Sequence, residues 1–291
     1  MSQGIFVQAA WIIYLVATVL YSIHTVFLRD EKTQRFVGGL AYFTLILGFA
    51  SHTVFQVLRA MDYYQQYQVF SIPAASLFEA LNFFGWWVAL IFIISEPLVK
   101  IRHFGWFVVA IPMMAIAYSM LDPGIVEGLH QPRQLVAALK SPWLNIHVTA
   151  MFISYSAFMV AAAFAVYFIL RYKFGIGIKN VDAKYSLEDI DMLVYRFVVY
   201  GYPFIVFGVL TGAIWADRAW GVYWAWDPKE TWALITMLIY TVFLHTRLAL
   251  GWRGARTAIF ALIGFLSVLI TFLGVNWIVS YFKLESIHAY I

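Results

Sequence analysis

The amino-acid sequence predicts an all-α integral membrane protein, a polytopic bundle of about eight transmembrane helices. Hydrophobic residues make up 63% of the 291 positions, charged residues only 12%, and the mean hydropathy is +0.80. Soluble domains usually carry about 25% charged residues. Several apolar runs approach the ~20 residues that a helix needs to cross the ~30 Å hydrocarbon layer, whereas outer-membrane strands would give ~10-residue alternating segments. We therefore expect a single integral membrane domain over residues 1–291.

Eight apolar segments are long enough to span a bilayer, at residues 5–28, 36–59, 77–95, 104–121, 144–170, 193–214, 232–250 and 257–281. The first segment ends in "FLRDEKTQR" rather than at a small-residue cleavage site, so we expect a retained span. Pro112 and Pro203 lie inside spans four and six, where the missing N–H predicts a kink. Ser186 and Asp189 have capping-box spacing and predict a helical extension before span six.

The distribution of Lys and Arg predicts how the spans are oriented. The loops after the odd-numbered spans hold twelve of these cations, among them Arg247, and the loops on the opposite side hold six, among them Arg59. Cytoplasmic loops are enriched in Lys and Arg. Both termini, and a tryptophan-rich segment at residues 215–232, are therefore expected on the non-cytoplasmic side of the membrane.

That segment, "WADRAWGVYWAWDPKETW", holds five of the 12 tryptophans: Trp215, Trp220, Trp224, Trp226 and Trp232. An aromatic belt is one interpretation, because indole rings favour the membrane interface. A belt spreads aromatic residues over many span ends, whereas these five share one segment with carboxylates and cations. Such a segment suits a flat, apolar ligand that carries some charge. Asp227, next to Pro228, is expected to cap the helix of span seven.

Two histidines are predicted on the same side as the tryptophan segment. His147 begins span five, and His288 follows span eight. Imidazole is well suited to an axial position on iron, and a bis-histidine site takes one ring from each side of the macrocycle. The alternative for each histidine is an interfacial residue that is hydrogen-bonded to backbone.

A second group of histidines is predicted inside the bilayer. His245 lies ~13 residues, and therefore ~20 Å, along span seven from its outer end. An ionisable residue at that depth indicates a function, the alternative being a neutral imidazole that bridges two helices. If this chain supplies a second inner ligand, His24 matches the depth of His245 better than His52, which lies nearer the outer half. The alternative is a histidine of a partner subunit. His103 and His130 are expected in solvated loops.

The sequence "WGVYWAWDPKETW" resembles the WWD motif, WGxxWxWDxxExW, of the heme-handling protein family of cytochrome c maturation, and specifically its CcsA (ResC) group, subunits of the system II cytochrome c synthase. "LFEALNFFGW" resembles the third-span signature of that group. "LVAALKSPWLNIHV" and "GVNWIVSYFKLESIHAY" resemble the segments that carry its two external histidines. The resemblance covers most of the chain from about residue 76 onward.

The resemblance implies that His147 and His288 are the external axial ligands of heme b and that His245 is a transmembrane heme ligand. It attributes the other transmembrane histidine to a CcsB (ResB) partner, rather than to His24. The implied function is heme transport to the outer face of a cytoplasmic (inner) or thylakoid membrane. Heme would be attached there to apocytochrome c at a CxxCH site, which implies a holocytochrome c synthase (cytochrome c heme lyase) subunit.

The chain contains no cysteine, so any thiol in its reaction belongs to a partner. Arg218 or Lys229 is expected to meet the heme propionates, and no nucleic-acid partner is expected. Two other interpretations stay open at this point. One is a heme-binding membrane carrier or regulator of the same superfamily without lyase activity, and the other is a small-solute transporter whose tryptophans form an ordinary belt.

Overall fold

The computed structural model of this chain describes residues 2–121, 125–126, 129, 135 and 137–275. Within these residues the secondary structure is helical, with no strand. The helices are α1 (Ser2–Ser22), α2 (Glu31–Tyr67), α3 (Leu77–Val99), α4 (Gly105–Val108), α5 (Ala110–Leu121), α6 (Pro142–Phe174), α7 (Lys179–Asp182), α8 (Leu187–Trp220), α9 (Pro228–Ala249) and α10 (Ala255–Leu269). π-Helical turns at Ile23–Phe27 and Ile270–Gly274 extend α1 and α10.

Eight helical segments of the described chain are long and apolar enough to cross a membrane. They are Gln3–Phe27, Glu31–Tyr67, Leu77–Val99, Arg102–Leu121, Pro142–Phe174, Leu187–Trp220, Pro228–Ala249 and Ala255–Gly274. The predicted all-α membrane fold is therefore confirmed. Helices α2, α6 and α8, of 37, 33 and 34 residues, are longer than their predicted spans. At 1.5 Å per residue each exceeds the ~30 Å hydrocarbon thickness, so hydropathy located only its apolar part.

The chain divides into two compact units. Unit 1 comprises Met1–Leu135 and Gly177–Ser186, and unit 2 comprises Val136–Ile176 and Leu187–Ile291. Each unit contains four of the membrane-crossing segments. The expectation of one membrane domain over the whole chain stays a prediction.

In unit 1, helices α2 and α3 are joined by a buried ion pair. Arg59 Nε donates to Glu79 Oε1 at 2.6 Å, and the hydroxyl of Tyr63 donates to the same carboxylate at 2.8 Å. The expectation that Arg59 is a loop cation is wrong, because α2 continues past it to Tyr67 and its side chain is 1% exposed. Removing either charge would leave the other buried without compensation, so this pair fixes the register of the two helices.

Two helix boundaries in unit 1 follow from local chemistry. The side chain of Asp30 caps α2 by accepting from the Thr33 hydroxyl at 2.6 Å and the Thr33 N–H at 2.8 Å. These hydrogen bonds hold the pKa of Asp30 below its usual value, because they favour the ionised carboxylate. The fourth span is interrupted at Val109, between α4 and α5. This fits Pro112, whose ring conflicts with the carbonyl four residues earlier.

In unit 2, helices α6 and α8 approach closely because glycines line their interface. A Cβ atom on Gly201 would lie 2.8 Å from the ring of Phe158, and one on Gly208 would lie 2.5 Å from Met151 Sδ. Small residues allow such approach between membrane helices. Helix α8 begins at Leu187, directly after Ser186, which confirms the predicted helical extension, and it continues through Pro203.

A buried ion pair also fixes unit 2. Arg247 Nη1 lies 2.7 Å from Asp191 Oδ2, and Asp191 Oδ1 accepts from the Gly254 N–H and the Thr257 hydroxyl. The expectation that Arg247 is a loop cation is wrong, because it lies within α9 and is buried. Asp191 therefore connects α8 and α9 with the start of α10.

Candidate functional site

His147 lies in the second turn of α6, where the imidazole has a defined orientation. Its Nδ1 atom is 2.6 Å from the carbonyl oxygen of Gly208 on α8. A carbonyl can only accept, so Nδ1 carries the proton and the lone pair of the neutral ring lies on Nε2. Metal-binding histidines are commonly oriented by this kind of hydrogen bond to a backbone carbonyl. The arrangement suits coordination through Nε2.

Trp215 packs against this imidazole near the end of α8. The two rings are nearly parallel, with an interplanar angle of 5° and a centroid separation of 6.4 Å. The indole is 3% exposed, and its Nε1 donates to the carbonyl of Ala138 at 2.9 Å. Trp215 therefore supports the orientation of His147 from a buried position, unlike the exposed tryptophans later in the segment. Trp220 meets it edge-on at 6.1 Å.

The glycines of α8 provide the space for His147. A Cβ atom on Gly212 would lie 2.6 Å from Nδ1 and 2.7 Å from Cε1 of the imidazole. Gly208, one turn earlier, supplies the orienting carbonyl. Sequence reasoning missed both residues. The available signal was their spacing, Gly-x-x-x-Gly, which marks close helix packing in membranes.

The segment between α8 and α9 is held by a capping box. Asp227 accepts from the N–H of Lys229 at 2.9 Å, which confirms its expected role as the cap of α9. In the second half of the motif, the Glu230 carboxylate accepts hydrogen bonds from the N–H groups of Asp227 and Ala225, at 3.3 Å and 2.9 Å. Glu230 was not singled out from the sequence, although the pattern Asp-x-x-Glu is the signature of this motif.

This ordered loop presents aromatic side chains to the outside of the chain. Trp220 is 41% exposed, Trp226 is 68% exposed, and Tyr223 is also exposed. The backbone of Trp226 has a φ of 57°, in the left-handed region, which costs a bulky residue roughly 1–2 kcal/mol. Trp224 and Trp226 meet edge-to-face at 5.7 Å. The capping box therefore orders a loop that exposes indole rings and in which the backbone of Trp226 is strained. Strained backbone is common in functional loops. Trp232 is half-buried on α9.

The candidate inner ligands lie in different units. His245 is on α9 in unit 2 and is exposed, so within the described chain it is not enclosed between helices. His24 is in unit 1, is buried, and its Nδ1 lies 2.8 Å from the carbonyl oxygen of Gln34. His52 is fully buried beside Tyr14. The pairing of His24 with His245 stays a prediction.

One histidine assignment is wrong. His103 was expected in a solvated loop, but it is 4% exposed and its ring stacks on that of His24 with the centroids 4.6 Å apart. It is buried because the chain between α3 and α4 turns back under the end of α1, where the carbonyl of His103 accepts from the Thr25 hydroxyl. His130 and His288 lie outside the described residues.

A family model described as "Cytochrome C assembly protein" matches residues 74–282, which is well over half of the chain. The chain belongs to the cytochrome c assembly protein family. The matched region of this cytochrome c assembly protein includes His147, His245 and the whole tryptophan-rich segment, and it leaves out His24, His52 and His288.

Curated relatives carry the name cytochrome c biogenesis protein CcsA. The protein of Mesostigma viride is 31% identical over 92% of this chain and 92% of its own length. That of Gloeobacter violaceus is 31% identical over 97% of this chain and 94% of its own length. The Chlamydomonas reinhardtii protein is 37% identical over 75% of this chain, but the match spans only 60% of that relative.

The fold is also similar to a solved structure. A protein named Cytochrome c Heme Lyase CcmF superposes with a TM-score of 0.62 over 97% of this chain at 18% identity. This chain spans about half of that protein, 49% of its length. At this identity the likeness concerns the fold of the helices. It supports the assignment of the chain as a multi-pass membrane protein.

Proposed function

We propose that this cytochrome c assembly protein carries heme b to the outer face of the membrane and presents it to apocytochrome c, as a subunit of a cytochrome c heme lyase. One observation carries the proposal. An imidazole with its Nδ1 proton held by a backbone carbonyl lies beside Trp215, at the start of an ordered, exposed tryptophan loop. This combination offers a metal ligand next to an apolar aromatic surface.

At the outer site, His147 and His288 would be the two axial ligands of the heme iron. The fixed orientation of His147 lowers the entropy cost of binding, since the ring is already aligned before the ligand arrives. Trp220 and Trp226 offer apolar faces that are unfavourable in water and that a flat macrocycle would cover. Arg218, which is exposed, is suited to meet a propionate.

At the transmembrane site, His245 would be one ligand. Its exposure on α9 means that the opposite ligand can come from a second protein that packs on this helix. A histidine of a CcsB/ResB partner would complete that site. An iron ligand at this depth in the membrane would lower the free-energy barrier to moving heme, with its two carboxylates, through the hydrocarbon layer.

The orientation in the membrane follows from charge. With the buried Arg59 and Arg247 left out, eleven cations lie in the loops after odd-numbered spans and five on the other side, so the termini and the tryptophan segment would face the periplasm or the thylakoid lumen. Apocytochrome c is exported to that compartment. Its CxxCH site supplies both thiols, because this chain has none. The acceptor histidine would then replace one protein imidazole, so that release follows attachment.

Co-purification with a ResB-like partner and a CxxCH acceptor peptide tests this proposal. We expect a six-coordinate, low-spin heme spectrum and covalent transfer of heme to the acceptor. Heme binding without transfer in the presence of partner and reductant would instead identify a carrier or regulator. A preparation without heme, in cells that make heme, would contradict the proposal and favour the transporter interpretation.

A further inference from the structure

A second set of metal-ligating side chains lies in unit 1, away from the tryptophan segment. The rings of His24 and His103 stack with centroids 4.6 Å apart and an interplanar angle of 22°. Both side chains are buried. His24 Nε2 and His103 Nδ1 have no hydrogen-bond partner among the described residues. Buried polar atoms usually have a hydrogen-bond partner. Two such atoms without one, on side chains that contact each other, therefore indicate a ligand that binds there.

The environment of His24 repeats the feature that orients His147. Its Nδ1 lies 2.8 Å from the carbonyl oxygen of Gln34, so Nδ1 donates and Nε2 carries the lone pair. In both units, therefore, a backbone carbonyl fixes the tautomer that leaves Nε2 as the coordinating nitrogen. Such an orienting hydrogen bond accompanies most metal-bound histidines.

The backbone around His24 is also irregular. His24 lies in the π-helical turn Ile23–Phe27, and π-helical turns occur frequently at functional sites. Gly38 on α2 leaves space for the ring. A Cβ atom there would lie 2.8 Å from both Nδ1 and Cε1 of His24, and 2.8 Å from Cδ of Arg102. A glycine at this position accommodates the imidazole and the guanidinium together.

Two cationic side chains, Arg102 and Lys184, lie near the two rings. Arg102 lies over Gly38 beside His24 and pairs with Glu96 at 2.6 Å. Tyr185 meets His103 edge-on, with centroids 6.2 Å apart, and Lys184 Nζ is 5.9 Å from the centre of the Tyr185 ring. Desolvation, followed by the charges of Arg102 and Lys100, lowers the pKa of Lys184. Glu96 already compensates the charge of Arg102, so an anionic ligand would chiefly stabilise Lys184.

We infer that His24 is the iron ligand of a separate heme-loading position in unit 1, with Lys184 facing a heme carboxylate. The inference rests on the proposed function, because it takes heme as the cargo. It takes His24 as a ligand without His245, which is an alternative to the predicted pairing of these two residues. A free divalent cation fits less well, because Lys184 would repel it, whereas the carboxylates of a macrocycle match this cation.

The stacking predicts the coordination number at this position. Nearly parallel rings in contact present their nitrogens side by side, so they do not oppose each other across a flat macrocycle. Iron held by His24 would therefore have one protein ligand and be five-coordinate and high-spin. The outer site, with two imidazoles, would be six-coordinate and low-spin. The two positions are thus distinguishable by spectrum.

The test uses this 291-residue chain with His147→Ala, His245→Ala and His288→Ala, purified in detergent and titrated with hemin. We expect this variant to bind hemin with a high-spin spectrum. Adding His24→Ala should weaken hemin binding by at least about tenfold, the lower end of the loss seen when metal-site residues are altered. Adding His103→Ala should keep the high-spin species. His52→Gln, at another buried histidine of unit 1, is the matched control and should leave binding unchanged.

A second comparison avoids removing the histidine. Gly38→Ala should weaken hemin binding in the same background, because its Cβ displaces the imidazole, whereas Gly39→Ala should not, because its Cβ meets nothing within 4 Å. Absence of hemin binding in the triple variant, equal binding with and without His24, or loss caused by His103→Ala but not by His24→Ala would overturn the inference. If the unmodified chain shows no low-spin heme spectrum, this result would instead contradict the proposed function.

Discussion

The substitution Gly212→Ala examines how His147 is positioned. Its Cβ would lie 2.6 Å from Nδ1 and 2.7 Å from Cε1 of the imidazole, and the ring would have to retreat by about 0.8 Å to reach 3.4 Å, the near limit of ordinary contact. Hydrogen bonds from N–H to oxygen cover only about 2.7–3.2 Å, so such a shift disrupts the bond to the Gly208 carbonyl.

The expected loss of heme affinity in the Gly212→Ala variant is large enough to measure. The hydrogen bond itself contributes about 0.5–1.5 kcal/mol, and loss of an orienting partner typically lowers metal-site affinity by about 10–100-fold. We therefore expect a 10–100-fold weaker outer heme site. Alanine is a better helix former than glycine by up to about 1 kcal/mol, so α8 itself should not be weakened. The defect should appear in heme affinity rather than in thermal unfolding of the protein.

The assay is hemin titration of the purified chain, with Gly39→Ala as the control because that Cβ enters open space in another membrane helix. Cytochrome c assembly in cells provides a second measurement, and it should fall with Gly212→Ala only. If Gly212→Ala binds hemin within about twofold of the control, well short of the expected loss, the imidazole is not positioned by this contact and the reasoning fails.

Changes at four further positions give distinct outcomes. Trp226→Ala should lower heme occupancy while membrane insertion stays normal, whereas an aromatic-belt residue would impair insertion at constant heme per folded molecule. Asp227→Leu should destabilise the loop by about 0.5–2 kcal/mol through loss of the helix cap, with Asp227→Asn milder, as measured by thermal unfolding and heme content. Equal effects of the two would argue against capping. Glu79→Ala should cost about 3–5 kcal/mol of stability because it leaves Arg59 charged and buried, and an unchanged melting temperature would contradict the buried pair. His245→Gly should reduce heme at the outer site, and full occupancy there would assign His245 a packing role.

The sequence predicted the features that depend on local pattern. Apolar run length identified eight spans, and the position of Asp227 before Pro228 indicated the cap of α9, because both properties are encoded by neighbouring residues. Glu230 carried an equally local signal, the capping-box spacing, and was missed. The geometry of His147 was not predictable in this way, since its partner Gly208 lies on another helix, 61 positions away.

Charged and titratable groups near span ends were the main source of error. Counting loop cations treats every Lys and Arg outside an apolar core as solvated. Arg59 and Arg247 are instead buried, because Glu79 and Asp191 on neighbouring helices neutralise them. His103 is buried for a related reason, since it stacks on a ring 79 positions earlier. Such pairings depend on tertiary contacts that single-sequence hydropathy does not contain.

The central claim, that His147 is an axial ligand of heme presented beside the tryptophan loop, is tested most directly by the absorption spectrum of the His147→Gly protein purified with its partner. The unmodified protein should show a six-coordinate, low-spin heme. The variant should show a five-coordinate species at the outer site, and added imidazole should restore the low-spin spectrum by filling the space that the side chain left. An unaltered low-spin spectrum in the variant, with no response to imidazole, would contradict the account.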